Sequence, residues 1–489
     1  MPGKTRAAAS ILAVLMLLLA AGCGNAAGEN VQTTAGGSNI TDETVPVTEA
    51  ETTAYIDTLE KRDLGEMTFT VIGQSNNERQ NFYTDSKAGD TINESIQRRD
   101  WAVEEQLNVK LNYVAESDRK KVRDSVQKTS STNDHVYDLV MTSLSDGINT
   151  LTTGGYLYDL NKVDHLTLGS SYWNPSMTVN MEMYGKLFFT TGPISPQLYQ
   201  TPIVMVMNKR LGQEYGLEDP YKVVLEGRWT IDKLAEMTRD VSRDLNDDNS
   251  MNELDFWGLV IDPTFGNALY VGAGLDPIDR SDGKYRIAIG NEAFVNLVDK
   301  CSALFGNRST VLGNPNGAKD YDIDVFVPGR ALFINDTLLG VQYMRDMEDD
   351  FAIIPCPKAT EEQTKYLTTC NTWLPSGVAI PRPNDDLETV GLIMETMAYY
   401  SNEEIVPAVY EITLRGKVSR DAESYRTLDI ICENLSFDFV SVFNPGGASD
   451  VLRNAMIGDV TNYTSSFGSI AKQAQKALDD FATAAQKQN

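Results

Sequence analysis

The sequence predicts an α/β fold from three observations: an early β-α-β-α-β run, a second block of short buried strands, and a helical C-terminal third. In the early run, Met67–Gly73, Val109–Val114 and Tyr137–Met141 have the apolar content of strands. Thr91–Leu107 repeats apolar residues at helical spacing, and Arg119–Thr129 is predicted as a polar helix. Strands that alternate with helices in this order predict a parallel sheet with right-handed crossovers.

The second block starts after a segment rich in turn-forming residues, which lies between the strand-like runs Tyr184–Thr191 and Pro202–Asn208. Further on, Thr230 is predicted to open a helix. A second helix is predicted over Glu292–Leu304. Short buried strands complete the block: Phe256–Ile261, Ala331–Ile334, Phe351–Ile354 and Val378–Pro381. The C-terminal third is predicted to be helical over Asp386–Tyr400, Asn402–Leu414, Ala422–Leu435 and Ile470–Ala484.

The composition argues against several classes of function. The 489 residues include 69 acidic and 42 basic ones, for a net charge of −27, and such a surface repels nucleic acid and anionic lipid. With two histidines, His135 and His165, a zinc or histidine-based catalytic centre is not expected. The sequence contains no G-x-S-x-G, H-E-x-x-H or P-loop motif, so no enzyme activity is predicted.

The N-terminus has the layout of a bacterial lipoprotein signal. Basic residues at positions 4 and 6 precede the apolar run Ile11–Ala20, and small residues lead into Cys23. This resembles the lipobox, in which residues 1–22 are removed as a signal peptide and Cys23 is acylated. The alternative is a plain signal peptide or an N-terminal helix anchor with an incidental cysteine. Acylation implies an exported protein that is anchored to the outer face of the bacterial cell membrane through its N-terminal lipid only.

Residues 23–62 predict a flexible tether behind this anchor. They are rich in Thr, Gly, Ala and Glu, and such a stretch buries too little apolar surface to offset its ordering entropy. No later stretch of the sequence has the length and apolar character of a membrane helix.

Four further cysteines leave the disulfide pattern open. An exported chain permits disulfides, and four cysteines allow three pairings. Cys356 and Cys370 lie near each other in sequence and are able to close one loop, while Cys301 and Cys432 lie further away.

The segment Asp244–Asp255 has the ligand spacing of a calcium-binding loop. Side-chain oxygens fall at positions 1, 3, 5, 9 and 12 of this segment, and a backbone carbonyl is available at position 7. Asn249 stands at position 6, where calcium loops have glycine, and asparagine tolerates the left-handed conformation. A structural Ca²⁺ site is one interpretation, and a polar surface turn is the other. The predicted ligands are Asp244, Asn246, Asp248, Ser250, Asn252 and Asp255.

Three segments in the second half share motifs with one protein family. Val327–Phe333 is similar to its F-x-x-G-[KR]-A-[AL] turn into a strand, Asp350–Lys358 to its D-[FW]-x-[IV]-x-P-x-P-K segment, and Gly377–Pro381 to its returning hinge strand. The family is the family 1 extracellular solute-binding proteins of bacterial ABC importers, which includes maltose-binding protein. The resemblance covers roughly residues 66–486 and departs from the family over Glu361–Pro375, where the family has a glycine-rich stretch.

The resemblance implies a two-lobe, periplasmic-binding-protein-like fold of type 2, in which hinge strands let the lobes close over a ligand. The first lobe is expected over residues 63–195 with a returning segment near 337–380, and the second over 196–336, completed by helices within 385–489. The implied function is a lipid-anchored receptor, expected to be a monomer, that captures a small solute and delivers it to an ABC permease. A carbohydrate, and in particular an oligosaccharide, is the favoured ligand. The alternatives are a surface-anchored glycoside-active enzyme and the ligand-binding component of a membrane sensor.

Ligand-binding residues are predicted where strands end, because loops at the carboxyl ends of parallel strands face the ligand crevice. The side chains that follow the first and third strands are neutral hydrogen-bonding groups suited to hydroxyls. Aromatic rings that stack on a sugar complement them, whereas Trp101, Trp229 and Trp257 are assigned to the core. The predicted ligand-binding residues are Gln74, Ser75, Asn76, Thr142, Ser143, Trp173 and Trp373.

Overall fold

The computed structural model describes residues 59–74, 82–83, 91–314, 319–414 and 422–487. The predicted signal peptide, Cys23 and most of the predicted tether lie outside the described residues, as do Ser75 and Asn76. Leu59, which the sequence assigns to the tether, is buried, and Gln106 Nε2 donates a hydrogen bond to its carbonyl over 3.3 Å. The compact unit that contains the sheets therefore includes residues before the predicted boundary at 63.

Strands and helices alternate through most of the described chain. The strands are β1 (Met67–Gln74), β2 (Val109–Glu116), β3 (Leu139–Ser143), β4 (Ile203–Asn208), β5 (Trp257–Ile261), β6 (Ile278–Asp279), β7 (Arg286–Ile287), β8 (Val311–Gly313), β9 (Ala331–Thr337), β10 (Phe351–Pro355) and β11 (Ser376–Ala379). The helices are α1 (Thr91–Leu107), α2 (Arg119–Thr132), α3 (Asn149–Thr153), α4 (Pro175–Met181), α5 (Gln197–Gln200), α6 (Lys209–Glu214), α7 (Pro220–Leu225), α8 (Ile231–Thr238), α9 (Thr264–Gly272), α10 (Glu292–Phe305), α11 (Leu338–Val341), α12 (Leu387–Leu414), α13 (Ala422–Glu433), α14 (Phe439–Phe443), α15 (Ala448–Met456) and α16 (Tyr463–Lys487). Within the described ranges, none of these helices combines the length and the apolar character that crossing a membrane requires.

The first sheet has the strand order β11-β3-β1-β2. Strand β1 pairs in parallel with β2 and β3, which confirms the parallel sheet predicted from the early β-α-β-α-β run. Strand β11 joins antiparallel to β3, so the chain returns to this sheet late in the sequence. The three parallel strands end at the same edge of the sheet, and Gln74 and Ser143 are the last residues of β1 and β3.

The second sheet has the strand order β10-β4-β9-β5-β8. Strands β5, β8 and β9 run parallel to one another, whereas β4 runs antiparallel to both β9 and β10. The carboxyl ends of β5, β8 and β9 therefore meet at one edge. Thr230 caps the N-terminus of helix α8, as predicted, because its side chain accepts a hydrogen bond from the Lys233 N–H.

Helices late in the sequence pack against both sheets. Helix α12 packs on α1, beside the first sheet. Helix α13 packs on β10, and α15 packs on α9 and α10, beside the second sheet. The late helices are thus shared between the two parts, whereas the sequence analysis expected helices within 385–489 to complete the second lobe.

Three local predictions differ from the structure. Tyr184–Thr191 forms isolated bridges instead of a strand: Lys186 pairs with Met183, and Thr190 pairs with Val378 of β11. The two helices predicted over 386–414 are one helix, α12, which continues through Pro407. Trp101 is 59% exposed, since the buried stripe of α1 runs through Arg99 and Val103 and leaves position 101 on the opposite face. Trp229 and Trp257 are buried in the core, as predicted.

The four cysteines of the described chain are free thiols in the structure, and all are buried. Cys356 and Cys370 do not close the loop that their sequence spacing permits, because they pack in different apolar clusters. Burial raises the pKa of the Cys301 and Cys432 thiols to about 12. Burial also raises the pKa of Cys356 and Cys370, so all four sulfurs are held as unreactive thiols.

Candidate functional site

A cavity of about 890 Å³ lies where the parallel strands of the second sheet end. Asp262 follows β5, Asn314 follows β8, and Asp336 and Thr337 are the last residues of β9. All four residues line the cavity. The carboxyl edge of a parallel sheet is the usual position of a ligand site in α/β proteins, because the loops there carry side chains that no strand pairing uses.

A second wall of the cavity is formed by Asn371, Trp373 and Leu374, from the segment that precedes β11. This segment is bound to the residues that follow β3 in the first sheet. The Ser145 N–H donates to the Thr372 carbonyl over 3.0 Å, and the two side-chain hydroxyls lie 2.8 Å apart. The Leu144 N–H donates to the Pro375 carbonyl over 3.1 Å. The cavity therefore lies between the carboxyl edges of the two sheets.

Asp262 is held in place by a reciprocal pair of hydrogen bonds with Asn335. The Asp262 N–H donates to Asn335 Oδ1 over 2.9 Å, and Asn335 Nδ2 donates to Asp262 Oδ1 over 3.0 Å. The Thr264 N–H also donates to Asp262 Oδ1 over 2.7 Å. Because these bonds join the ends of β5 and β9, the Asp262 carboxylate has a fixed orientation at the cavity wall.

Asp336 has a strongly altered acidity. It lies where the cavity adjoins a smaller one of about 250 Å³, which also contains Asp322 and Asp262 among its lining residues. Burial, together with repulsion from Asp322 and Asp262, raises the pKa of Asp336 to about 8, although the Thr337 N–H donates to its carboxyl group. At neutral pH the carboxyl group is therefore mostly protonated and able to donate a hydrogen bond.

The arginines at the cavity are paired with acidic residues. Arg308 forms an ion pair with Asp459 and donates to the Ile457 carbonyl over 3.1 Å. Arg453 Nη2 lies 3.0 Å from Asp450 Oδ1 and forms an ion pair with it. Since these charges are matched within the protein, the cavity wall has little net positive charge to attract an anion.

Trp373 contributes the aromatic surface of the cavity. Its side chain is 42% exposed, and the guanidinium carbon of Arg119 lies 4.4 Å from the centroid of its ring. The structure therefore places this predicted site residue at the cavity wall. Trp173, in contrast, is fully buried, and its Nε1 donates to Glu395 Oε2 over 2.9 Å. It presents no surface to a ligand, because the segment that carries it packs against α12.

Of the polar residues predicted at the ends of the first and third strands, the three that lie within the described residues, Gln74, Thr142 and Ser143, line neither cavity. Gln74, Thr142 and Ser143 are all buried. Thr142 and Ser143 are part of β3 itself, because pairing with β11 extends that strand to Ser143. The Thr142 hydroxyl and Gln74 Oε1 have no hydrogen-bond partner among the described residues.

The predicted calcium loop is folded around its own backbone. Asp244 accepts hydrogen bonds from the N–H groups of Asn246, Asp247 and Asn249. Asp255 is fully buried and accepts from the N–H groups of Leu245 and Asn252. In the described part of the chain, no three acidic, histidine or cysteine side chains are grouped so that they could hold a metal ion. The geometry thus does not assemble the six predicted ligands, and calcium binding stays a prediction.

Sequence reasoning missed Asp262, Asn314 and Asp336. A sequence signal exists for two of them, since Asp262 directly follows the predicted strand Phe256–Ile261 and Asp336 lies two residues beyond Ile334. The rule that was applied to the first sheet, which selects polar residues at strand ends, selects these residues when it is applied to the second sheet. Arg308 and Arg453 carry no comparable signal.

No family model matches the chain, and no curated protein matches it. Among solved structures, a cyclo/maltodextrin-binding protein complexed with maltotetraose is 12% identical, with a TM-score of 0.53 over 86% of this chain and 96% of that chain. An ABC substrate-binding protein from Listeria monocytogenes in complex with cycloalternan is 14% identical, with a TM-score of 0.49 over 86% and 98% of the two chains. A maltose/maltodextrin-binding domain from Bdellovibrio bacteriovorus bound to maltotriose is 13% identical, with a TM-score of 0.47 over 86% and 99%. At these identities the similarity concerns the fold, which is the two-lobe α/β fold of periplasmic binding proteins.

Proposed function

We propose that the protein is a solute-binding receptor that holds a carbohydrate, with an oligosaccharide favoured, in the cavity between its two sheets. One observation carries the proposal: the cavity is bounded by the carboxyl ends of β5, β8 and β9 on one side and by Asn371–Leu374 on the other. The fold is shared with a binding protein whose structure contains maltotetraose, which supports a saccharide over other small solutes.

The chemistry of the cavity suits a polyhydroxylated ligand. Asp262 is a fixed acceptor, and protonated Asp336 is a donor at neutral pH. Asn267 Oδ1 is buried without a hydrogen-bond partner among the described residues, so it is available to a ligand hydroxyl in the cavity that Asn267 lines. Trp373 supplies an aromatic surface on which the apolar face of a sugar ring packs.

The two walls of the cavity belong to different sheets, and this arrangement gives the protein a way to report that ligand is bound. Asp262 and Asp336 belong to the second sheet, whereas Trp373 is bound through Thr372 to the residues after β3. A ligand that contacts both walls has a higher affinity for a closed arrangement than for an open one. Its binding therefore favours closure without any chemical step.

Anchoring and delivery are further parts of the proposal, and they rest on the sequence. The lipobox-like segment that ends at Cys23 supports acylation and an exported protein at the outer face of the membrane. In that position a monomeric receptor hands its solute to an ABC permease. A membrane sensor is the alternative recipient. Deletion of the gene for this protein distinguishes the two, because it abolishes uptake of the solute only if the protein serves a permease.

Thermal-shift screening followed by calorimetry tests the binding function. The panel consists of linear and cyclic oligosaccharides, including maltotetraose, with amino acids and short peptides as comparison. We expect at least one saccharide to raise the melting temperature, because binding to the folded state alone stabilises it. Small-angle scattering of the same sample is expected to show compaction.

Replacement of Trp373 by alanine provides the site-specific part of this test. We expect Trp373→Ala to weaken saccharide binding about tenfold, or ~1.4 kcal/mol. Trp101→Ala is the matched control, since Trp101 is also exposed but lies on α1 and does not line the cavity. If no saccharide binds, or if both variants bind like the wild type, the proposed function is wrong. Release of shorter sugars during the incubation would instead support the enzyme alternative.

A further inference from the structure

One face of the Trp373 ring is covered by a side chain of the protein itself. The guanidinium of Arg119, the first residue of α2, lies 4.4 Å from the ring centroid. We propose that Arg119, held by Asp146, is a positioning residue that fixes the Trp373 ring and leaves only its opposite face for a ligand. This inference rests on the proposed function, because it concerns the aromatic wall of the same cavity.

Asp146 holds Arg119 through a shared pair of ionic contacts. Asp146 Oδ2 lies 3.4 Å from Arg119 Nε, and Asp146 Oδ1 accepts from Arg123 Nη1 over 2.7 Å. Arg119 and Arg123 are one helical turn apart on α2, so both side chains reach the same carboxylate. Arg123 Nη1 also donates to the Asp146 carbonyl over 3.0 Å, which fixes the backbone of the turn.

The turn that carries Asp146 also holds the segment that carries Trp373. Asp146 has a φ of +57°, a left-handed conformation that aspartate tolerates, in the turn between β3 and α3. Its neighbour Ser145 is bonded to Thr372 by a backbone and a side-chain contact. The ring of Trp373 and the cation that covers it are therefore both attached to the end of β3. We call this arrangement, Asp146, Arg119 and Trp373, the Trp373 stack.

The Trp373 stack has two consequences for binding. It keeps the indole in one orientation, so that a ligand does not have to immobilise the ring. It also restricts stacking to one face, which limits how a sugar chain enters the cavity. Loss of the guanidinium removes this contact and exposes the covered face of the ring to solvent.

Acrylamide quenching of tryptophan fluorescence measures the covered face directly. In a Trp101→Phe background, Trp373 is the exposed tryptophan of the described chain, because Trp173, Trp229 and Trp257 are buried. We expect Arg119→Met to raise the quenching constant about twofold in the absence of ligand. The same substitution is expected to weaken binding of the saccharide found in the screen three- to tenfold, with Arg119→Lys intermediate because lysine keeps a cation near the ring.

Arg243→Met is the matched control. Its guanidinium lies 5.0 Å from the ring of Phe256 and does not line the cavity, so this variant loses a comparable contact elsewhere. It is expected to leave both quenching and affinity unchanged, and circular dichroism checks that each variant is folded. Unchanged quenching in Arg119→Met overturns the Trp373 stack, and raised quenching with unchanged affinity overturns its role in binding. A wild-type protein that binds no saccharide overturns the proposed function, and the role in binding with it, whatever the quenching shows.

Discussion

Replacement of Asp336 by asparagine is expected to stabilise the protein at pH 8 and to have little effect at pH 4. The physical cause is the raised acidity of the carboxyl group, whose pKa is about 8 in the folded protein against an ordinary 3.8. Between these two values the folded state binds one proton more than the unfolded state. The free energy of unfolding therefore falls as the pH rises from about 4 to about 8, and above that range it stays lower by a constant amount.

The magnitude follows from the difference between the two pKa values. About four pH units at ~1.4 kcal/mol each amount to an upper limit of ~6 kcal/mol. Asp336 is only partly buried and faces a cavity, so water reduces this penalty. We expect Asp336→Asn to raise the free energy of unfolding by about 2–5 kcal/mol at pH 8.5. Asparagine is neutral at every pH and retains an oxygen that accepts the Thr337 N–H.

Urea denaturation at pH 4.5, 7 and 8.5, followed by circular dichroism, measures this difference. Asp346→Asn is the control, because Asp346 is an exposed carboxylate on the surface. The stabilisation is expected to grow with pH in the Asp336 variant and to be absent from the control. A difference that is the same at all three pH values would show that packing, and not ionisation, separates the variant from the wild type, and destabilisation at pH 8.5 would refute the reasoning. Saccharide affinity gives a second readout: it is expected to fall above pH 8 in the wild type and to stay level in the variant, whose amide still donates.

Three further predictions concern other parts of the molecule. Glu395→Ala is expected to lower the free energy of unfolding by about 3–5 kcal/mol, because it leaves the donors of Thr167, Tyr172 and Trp173 without an acceptor. The control, Glu403→Ala at an exposed position of the same helix, is expected to be neutral, and equal effects of the two substitutions in urea denaturation would contradict the prediction. Calcium binding by the Asp244–Asp255 loop predicts a melting temperature that rises in millimolar CaCl₂ and falls again with chelator, and an unchanged melting temperature would exclude it. Alkylation without reductant, read by mass spectrometry, is expected to modify the thiols of Cys301, Cys356, Cys370 and Cys432 only after the protein is unfolded. A disulfide-linked peptide would contradict the structure.

Local patterns of the sequence were sufficient for most of the secondary structure. Helix α1 begins and ends at the residues its periodicity predicts, and β1 and β4 differ from their predicted spans by one residue. These patterns are reliable because burial on one face selects residues at a spacing that only the local backbone sets. Trp101 shows where these patterns fail, because a residue that lies two positions from a buried residue of a helix is on the opposite, exposed face.

The candidate site was predicted only in part, for a different physical reason. Trp373 was selected for its aromatic ring and its place before the returning strand, and the structure puts it at the cavity wall. Thr142 and Ser143 were assigned to a loop because the third strand has no apolar residue there. Strand β11, more than 200 residues away, extends β3 and buries both side chains. Pairing between distant segments leaves no trace in the local pattern.

The sequence by itself determined the α/β class, the parallel arrangement of β1, β2 and β3, and the presence of an aromatic residue before the returning strand. The tertiary structure alone decided which polar residues share a cavity, because the edge that unites Asp262, Asn314 and Asp336 exists only once β5, β8 and β9 lie side by side. It also decided the raised pKa of Asp336, since that depends on burial and on carboxylates brought near it from other elements. Periodicity reports burial along one element, whereas a site depends on distances between elements.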